Sequence, residues 1–405
     1  MNSAAPANNR VLSGMRPTGR LHLGHYHGVL KNWVELQHTH ECFFFVADLH
    51  ALTTHYENPR GIPDSAYEMV IDWLAAGVNP SSATIFVQSW VPQHAELHLL
   101  LSMSTPLGWL ERVPSFKDQQ EQLKDKDLAT YGFLGYPVLM SADILLYRAG
   151  QVPVGEDQVP HLEVTREVAR RFNHLYGREH DFTERAEQAV SKMGKKNARL
   201  YRELRRRYQE QGDAEALDVA RALLEAQQNI SLGDRERLFG YLEGGGRIIL
   251  PEPQPLLTPA SKMPGLDGRK MSKSYHNTIA LRDSPEVVEH KIRTMPTDPA
   301  RVRRTDPGDP EECPVWQLHQ VYSDDRTRAW AQEGCRSAGI GCVECKQPVI
   351  KAVLHELKPF QERAAEFEAD PGLVRIILNE GTQAAREQAE ETMDEVRRAM
   401  GLVYR

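Results

Sequence analysis

Short apolar runs alternate with stretches of helical periodicity in the N-terminal part of the chain, and this alternation limits the possible folds most strongly. The run 42–47 is apolar at every position, as in a strand that is buried on both faces. Apolar residues recur at helical spacing over 25–37, a second helical stretch follows over 63–76, and another apolar run covers 84–87. Strands that alternate with helices favour a parallel sheet covered on both faces. We therefore predict an α/β fold, with a Rossmann-like doubly wound parallel sheet and a helical C-terminal domain.

The bulk composition excludes some classes of protein. At 405 residues the chain is long enough for two or three domains. Its net charge of −7 argues against a protein that coats nucleic acid through overall positive charge. No stretch approaches the roughly 18 apolar residues that a membrane helix needs, and the N-terminus lacks the apolar core of a signal peptide. We expect a cytoplasmic protein without a membrane partner.

Changes in pattern along the chain suggest domain boundaries. The charge-rich segment before the glycine triplet 244–246 has a helical pattern with many lysines and arginines, and the chain beyond 283 is mostly helical. The predicted parts are a disordered N-terminus over 1–9, a first part of the catalytic domain over 10–180, a helical basic insertion over 181–246, a second catalytic part over 247–283, and a helical domain over 284–405. The basic run of the insertion is a candidate contact for nucleic acid phosphates, although a solvated helix face is the more usual meaning of such a run.

Residues 17–25, with the sequence PTGRLHLGH, lie where the first strand is expected to lead into a helix. Free N–H groups and the positive dipole end make a helix N-terminus attractive to phosphate. The rings of His22 and His25 could donate hydrogen bonds to phosphate oxygens, and Gly24 would let a flat base approach the backbone. Taken alone, the two histidines could equally be surface residues of an amphipathic helix.

A second motif, KMSKS at 270–274, lies in a loop marked by glycine and proline. Two lysines on a mobile loop could close over a triphosphate and neutralise charge as pyrophosphate departs. A solvated basic loop is the alternative for this segment alone.

Together the two motifs resemble the HIGH and KMSKS signatures of class I aminoacyl-tRNA synthetases, with Leu23 as one conservative change in the first and no change in the second. The resemblance implies that His22, His25, Lys270 and Lys273 stabilise charge during the transfer of a nucleotidyl group from Mg²⁺-bound ATP. Arg16 replaces a glutamine found in many bacterial members of the family. The positions that match ATP contacts of the family are Arg16, Pro17, Thr18, Gly24, His25, Gly155, Glu156, Asp157, Lys270, Met271, Ser272, Lys273 and Ser274.

Between the motifs, Tyr136, Met140 and Asp143 share one face of a predicted helix. A thioether packs well against an aromatic ring, and a carboxylate at the end of an apolar slot suits a ring N–H such as that of indole. For an isolated helix, a capping or salt-bridging Asp143 beside a core methionine is the simpler interpretation.

Residues 10–180 and 260–405 resemble tryptophanyl-tRNA synthetases, whose members are tryptophan–tRNA ligases. The resemblance implies L-tryptophan, ATP and tRNA(Trp) as partners, and a homodimer. Tyrosyl enzymes share the fold but usually carry Gln where this chain has Met140, so tyrosine is the second candidate substrate. The residues implied to bind the amino acid are Tyr136, Met140, Asp143, Val152, Val154 and Gln158.

Four of the five cysteines crowd into one segment, namely Cys313, Cys335, Cys342 and Cys345. Four thiolates can hold zinc or a [4Fe–4S] cluster. Only one pair is as close as a zinc knuckle requires, and a subset of tryptophanyl enzymes carries a [4Fe–4S] cluster at similar spacing. We expect the iron–sulfur cluster in a structural role, with zinc or reduced thiols as the alternatives.

Three arginines just before the cysteine segment, Arg301, Arg303 and Arg304, are further candidates for contacts to tRNA. Two rival functions stay open at this stage. A small nucleotidylyltransferase can share the first motif, but it is shorter and needs no aromatic-binding face. A synthetase-derived nucleic-acid-binding sensor could keep the fold without turning over ATP.

Overall fold

The computed structural model describes residues 9–111, 130–155, 158–177, 181–257 and 263–404. The chain divides into two compact units, which we call unit 1 (residues 1–12, 89–256 and 384–405) and unit 2 (residues 13–88 and 257–383). Each unit is therefore assembled from segments that are far apart in sequence.

A five-stranded sheet forms the framework of the fold. Its strands are β1 (Arg10–Met15), β2 (Glu41–Val46), β3 (Ala83–Val87), β4 (Gln151–Val154) and β5 (Gln254–Leu257). Their spatial order is β3-β2-β1-β4-β5, with β1 parallel to β4 and β2 parallel to β3. This is the strand order of a Rossmann-like sheet, which confirms the predicted fold class.

Helices separate these strands along the chain and make up its C-terminal part. In chain order they are α1 (Leu23–His25), α2 (Lys31–Leu36), α3 (Asp48–His55), α4 (Ile62–Ala76), α5 (Gln93–Ser102), α6 (Leu107–Leu110), α7 (Tyr131–Leu134), α8 (Tyr136–Leu146), α9 (Val159–Tyr176), α10 (Phe182–Lys192), α11 (Lys195–Gln211), α12 (Ala214–Glu225), α13 (Leu232–Leu242), α14 (Pro285–Thr294), α15 (Pro314–Tyr322), α16 (Asp325–Arg336), α17 (Cys342–Ala369) and α18 (Pro371–Ala399). Short 3₁₀ turns cover Pro59–Gly61, Gln88–Trp90, Lys273–Tyr275 and Pro310–Glu312. Among the described helices none is long and apolar enough to cross a membrane.

The helix predicted over 25–37 departs from regular α geometry. It begins two residues earlier, at Leu23, and a π-helical segment, Tyr26–Leu30, separates α1 from α2. Such segments shift the helix face by one residue and are frequent at functional sites. Hydrophobic periodicity alone does not reveal this shift.

Aromatic side chains build the core of unit 2 around β2. The rings of Trp33 and Phe44 stack with their centroids 4.2 Å apart, and Trp73 meets Trp33 edge-on at 5.0 Å. A side chain at Gly14 would collide with the ring of Phe45, since its Cβ would lie 2.4 Å from the ring edge. The apolar run of β2 is therefore buried on both faces, as its composition predicts.

Helices α10 to α13 in unit 1 pack around a separate apolar core that includes Tyr201, Leu224 and Leu238. Five of the eight basic residues in the run 192–207 are paired or stacked inside the segment, whereas Lys195, Lys196 and Arg199 are exposed. The pairs and contacts are Lys192 with Asp234, Arg202 with Glu187, Arg206 with Glu203, Arg207 with Asp213, and Arg205 stacked on the ring of Tyr241. This neutralisation weakens the case for the insertion as a phosphate-binding surface.

Candidate active site

The first motif forms the junction of β1 and α1 in unit 2, and its two histidines cap the helix. His22 is the N-cap residue, and its Nδ1 accepts a hydrogen bond from the Gly24 N–H at 3.1 Å. In return, the backbone N–H of His22 donates to Nδ1 of His25 at 3.2 Å. Because both Nδ1 atoms act as acceptors, the neutral rings carry their protons on Nε2. The local fold thus fixes the tautomers and leaves the two Nε2–H groups as the donors of the site.

The charge state of both rings is set by burial. Burial, with a smaller contribution from Lys273, lowers the pKa of His22 to about 4. Burial, then His22 and Lys273, lowers the pKa of His25 to about 2. At neutral pH the two imidazoles are therefore uncharged hydrogen-bond donors, and positive charge must come from elsewhere.

Gly24 has a steric role in this capping arrangement. A Cβ at this position would lie 2.9 Å from the ring of His22. Glycine is thus required for the reciprocal capping of His22 and His25, in addition to any room that it gives a base.

Lys273 brings the second motif to the first within unit 2. Its Nζ donates to the carbonyl oxygens of Gly19 at 2.8 Å and Thr18 at 3.1 Å. Burial lowers the pKa of Lys273 to about 8, while the nearby carboxylate of Asp72 raises it. The ammonium group is thus mainly protonated at neutral pH and adjoins the loop that leads to His22.

The other residues of the second motif differ in placement. Lys270 is exposed, whereas Met271 is buried and Ser272 is half-buried. The backbone of the loop is held by Asn277, whose Oδ1 accepts from the Ser272 N–H at 2.8 Å. The side chain of Ser274 lies outside the described part of the chain.

Three further residues that were predicted to contact ATP, Arg16, Pro17 and Gly155, belong to the part of the chain that the structure describes. Arg16 is half-buried, and its guanidinium donates to Thr54 Oγ1 of α3 at 2.5 Å. Pro17 is buried at the start of the loop, and Gly155 follows β4 in unit 1. Glu156 and Asp157, which were also predicted to contact ATP, lie outside the described residues.

The predicted aromatic-binding residues lie in unit 1, on α8 and β4. Asp143 is fully buried, and its Oδ1 lies 2.6 Å from Nδ1 of His94, a residue of α5. The same imidazole reaches Tyr147 Oη through Nε2 at 2.8 Å. Asp143 is therefore one end of a buried chain of hydrogen bonds, which holds its carboxylate in a fixed orientation. Burial, then the charge of Asp143, raises the pKa of Tyr147 well above its ordinary value.

The remaining members of this group differ in exposure. Met140 and Tyr136 are half-buried, and Tyr136 Oη lies 3.4 Å from Nε2 of the buried His161. In and after β4, Val152 is buried, Val154 is half-buried, and Gln158 is exposed.

The sequence patterns did not indicate His94 and Tyr147 as members of this site. Tyr147 stands four residues after Asp143, so helical spacing could have suggested its proximity. His94 lies 49 residues before Asp143 in the sequence, and no local pattern connects the two.

The four clustered cysteines lie at the ends of three helices in unit 2. Cys313 precedes α15, Cys335 is in the last turn of α16, and Cys342 and Cys345 are in the first turn of α17. All four are half-buried free thiols. Burial, then the proximity of the other three thiols, raises the pKa of Cys345 to about 12. The four thiols are therefore close enough to influence one another electrostatically.

Two buried cations adjoin the thiols. Arg301 reaches to 4.0 Å from Cys335 Sγ, and it also donates to the carbonyl oxygen of Ile340 at 2.5 Å. Lys346 donates to the carbonyl oxygens of Arg293 and Met295. Across the residues that the structure describes, no three His, Cys, Asp or Glu side chains are grouped in a way that could hold a metal ion. Of the three arginines considered for contacts to tRNA, Arg301 is buried, whereas Arg303 and Arg304 are exposed.

Comparisons with known proteins agree with both the sheet and the motifs. Residues 5–205 and 216–358 match the family described as tRNA synthetases class I (W and Y). The tryptophan–tRNA ligase of Ralstonia nicotianae is 69% identical over 395 residues, which cover 98% of this chain and 99% of that protein. The tryptophan–tRNA ligase of Thermotoga maritima is 44% identical over 397 residues, with 98% and 100% covered. A crystal structure of tryptophanyl-tRNA synthetase from Campylobacter jejuni, complexed with ADP and tryptophan, superimposes with a TM-score of 0.72 at 27% identity and covers 97% of this chain and 99% of that chain.

A parallel sheet whose first strand leads into two capping histidines, with Lys273 bound to the loop before them, agrees with this family match. The chain belongs to the class I tRNA synthetases of the tryptophan and tyrosine group.

Proposed function

We propose that this enzyme activates L-tryptophan with Mg²⁺-bound ATP and transfers the tryptophanyl group to the 3′ end of tRNA(Trp). One observation carries the proposal most directly. Lys273 Nζ binds the carbonyl oxygens of Thr18 and Gly19, so the positive charge of the second motif adjoins the uncharged histidines of the first. The relatives named above, which are tryptophan–tRNA ligases, support the choice of amino acid.

The first step needs no nucleophile from the protein. The carboxylate of tryptophan attacks the α-phosphorus of ATP, a new P–O bond forms, and pyrophosphate leaves with the electrons of the broken P–O bond. The Nε2–H groups of His22 and His25 would donate to phosphate oxygens, and the lysines at 270 and 273 would offset the charge that moves to pyrophosphate. To reach a phosphate, Lys273 must break its hydrogen bonds to the carbonyl oxygens of the first motif. These hydrogen bonds therefore belong to the enzyme before ATP binds.

Recognition of the amino acid rests on α8 and β4. In this proposal Asp143 accepts the indole N–H, Met140 with the two valines of β4 contacts the ring, and Tyr136 and Gln158 serve the polar end of the substrate. The chain of hydrogen bonds through His94 would hold the Asp143 carboxylate in place, and a fixed acceptor discriminates strongly against rings without a matching donor.

Amino-acid-dependent exchange of pyrophosphate into ATP tests this proposal, with tryptophan and tyrosine assayed in parallel. We expect exchange with tryptophan alone. Met140→Gln should lower kcat/KM for tryptophan by about tenfold or more, because a buried amide would lack a partner in an apolar slot. Met400→Gln, at a half-buried methionine beyond the end of α18, is the matched control. Exchange with tyrosine alone would favour a tyrosyl enzyme, and no exchange with either would favour the sensor.

We infer that the cysteine group holds a [4Fe–4S] cluster in a structural role. The mutual influence of the four thiols supports a shared ligand, and the buried cations Arg301 and Lys346 would offset the negative charge of a thiolate-bound cluster.

Metal and sulfide analysis of anaerobically purified protein tests this inference. About four iron atoms per chain are expected, and Cys342→Ser should lose them and lower tRNA charging more than pyrophosphate exchange. Cys42→Ser, at a buried cysteine of β2, should retain iron. One zinc per chain, or equal losses of both activities, would contradict the proposal.

We further propose that the chain acts in the cytoplasm as a homodimer and that the helical segment 284–405 recognises the anticodon. Several large apolar side chains of unit 1 are exposed, among them Leu99, Met103, Leu107 and Tyr131. Exposed apolar side chains of this size are expected where two copies meet. Light scattering after gel filtration should show a dimer that Met103→Glu dissociates, whereas Leu232→Glu, at an exposed leucine of the insertion, should leave it intact.

A further inference from the structure

Residues 279–282, which lie outside both signature motifs, connect the loop of the second motif to the first motif. In unit 2 the segment 279–281 pairs with residues 21–23 as a short antiparallel ladder. The Leu281 N–H donates to the Leu21 carbonyl oxygen at 3.1 Å, and the Leu23 N–H donates to the Ile279 carbonyl oxygen at 3.1 Å. His22 lies in the middle of this ladder, opposite Ala280.

Arg282, the next residue, ends the ladder in a largely buried ionic group. Its Nε lies 2.8 Å from Oδ1 of Asp72, a residue of α4 that is 2% exposed. The guanidinium also pairs with Glu68 on α4 and with Glu368 on α17. Both of these glutamates are about half exposed, so Asp72 is the buried partner.

Asp72 reaches the first motif directly. The backbone N–H of Leu21, the residue before His22, is close enough to this carboxylate to lower its pKa. Burial raises the pKa of Asp72 to about 7, while Arg282 and the Leu21 N–H oppose this rise. The charge of Asp72 also acts on Lys273 and opposes the effect of burial on that ammonium group.

We propose that Asp72 and Arg282 form a positioning pair for adenylate formation, which fixes the backbone of Leu21 and His22 and supplies the negative charge that balances Lys273. This inference rests on the function proposed above. Neither residue is placed against substrate: Asp72 acts through Leu21 and Lys273, and Arg282 acts through Asp72.

This positioning role differs from a purely stabilising one in its effect on the charge of Lys273. A buried ion pair contributes little net stability compared with an apolar pair of similar size, because desolvation offsets the attraction. An apolar pair could close the ladder equally well, but it could not keep Lys273 protonated. The two roles can therefore be distinguished by the pH dependence of kcat/KM, which only the positioning role would change.

The test is the pH profile of kcat/KM for ATP in tryptophan-dependent pyrophosphate exchange, which reports ionisations of the free enzyme. The charged and titratable groups that act on Lys273 are Asp72, His22 and His25, and those that act on Asp72 are Arg282 and Glu68. Asp72→Asn keeps the shape and an acceptor for the Leu21 N–H but removes the charge. Lys273 should then lose its proton at lower pH. The alkaline limb should move down by about half a pH unit, so that kcat/KM near pH 8.5, taken relative to its own plateau, should be about threefold lower than in the unmodified enzyme.

A second variant keeps the test informative if Asp72→Asn fails to fold. Arg282→Gln leaves Asp72 buried without its main cation, so its carboxyl should take up a proton and move the alkaline limb in the same direction. Glu368→Gln is the matched control, because this residue also pairs with Arg282 yet does not act on Asp72 or Lys273. Its profile should coincide with that of the unmodified enzyme.

An unchanged alkaline limb in both Asp72→Asn and Arg282→Gln, even with a lower plateau, would overturn the inference and leave the pair a structural tie. That outcome differs from failure of the proposed function. In the latter case the unmodified chain would give no tryptophan-dependent exchange at any pH.

Discussion

Glu356 of α17 offers the sharpest prediction about stability. Its carboxylate receives a hydrogen bond from His27 Nε2 at 2.9 Å, one from Lys31 Nζ at 2.8 Å and one from Tyr322 Oη at 2.9 Å. His27 lies in the π-helical segment that follows His25, so this group ties α17 to the helix of the first motif within unit 2. The substitution Glu356→Gln keeps the size of the side chain and removes the charge that all three donors share.

The expected magnitude follows from the ionisation of Glu356. Burial raises its pKa, but the hydrogen bonds and charges of His27 and Lys31 outweigh burial and lower the pKa to about 2. An unfolded glutamate titrates near about 4.3, and each pKa unit corresponds to about 1.4 kcal/mol, so the upper limit is about 3 kcal/mol. Lys31 is 42% exposed, and solvent screening reduces the expected loss to about 2 kcal/mol.

The sign of the pH dependence is fixed by the lowered pKa. The stabilisation is fully present above about pH 4.3 and is lost as the pH falls through about 2. In urea unfolding, Glu356→Gln should therefore be less stable than the unmodified protein at pH 7, and the gap should narrow towards about pH 3.5. Glu362→Gln, at an exposed position of the same helix, is the control. Equal urea midpoints for the two variants at pH 7 would refute the reasoning.

Two further predictions concern packing and charge. Gly381→Ala should lower the free energy of unfolding by about 3 kcal/mol, because its Cβ would lie 1.9 Å from the carbonyl oxygen of Ile85. Gly61→Ala, which meets nothing within 4 Å, should leave the thermal midpoint unchanged. Deletion of 181–246 should not flatten the salt dependence of tRNA affinity, since five of the eight basic residues in its run 192–207 are paired or stacked within the segment. A clearly smaller slope in filter binding at several salt concentrations would show that the insertion contacts phosphates.

The predicted α/β fold was confirmed, and local signals in the sequence indicated β1, β2 and β3, whereas β4 and β5 were not predicted as strands. The run 42–47 is apolar throughout, and the observed strand Glu41–Val46 differs from it by one residue. The phosphate motifs were found for a similar reason, since their residues are contiguous and their spacing suits one junction and one loop.

The parts that sequence did not reveal depend on contacts between distant residues. The pairing of Asp72 with Arg282 spans 210 positions, and each residue alone resembles an ordinary surface charge. The contact of Asp143 with His94 likewise has no local pattern. The tautomers of His22 and His25 could have been predicted from the sequence, because the two residues are three positions apart, as the N-cap and N3 residues of a capping box are. That pattern is usually recognised only when Ser or Thr and Glu or Gln occupy these positions.

The two ends of the helical segment 181–246 lie close together, which affects how the segment could be replaced by engineering. The Arg247 N–H donates to the Gly177 carbonyl oxygen at 2.7 Å, so the residues on either side of the segment are hydrogen-bonded neighbours. A Cβ on Gly177 would lie 2.3 Å from the Arg247 carbonyl oxygen, which makes glycine necessary at this narrow neck. Because the two ends are already in contact, closing the chain with a short link in place of the segment would cost little loop-closure entropy. A short link, or a foreign domain with adjacent termini, could therefore join residues 177 and 247, provided that the pairs of Glu236 with Arg148 and Arg247 are replaced.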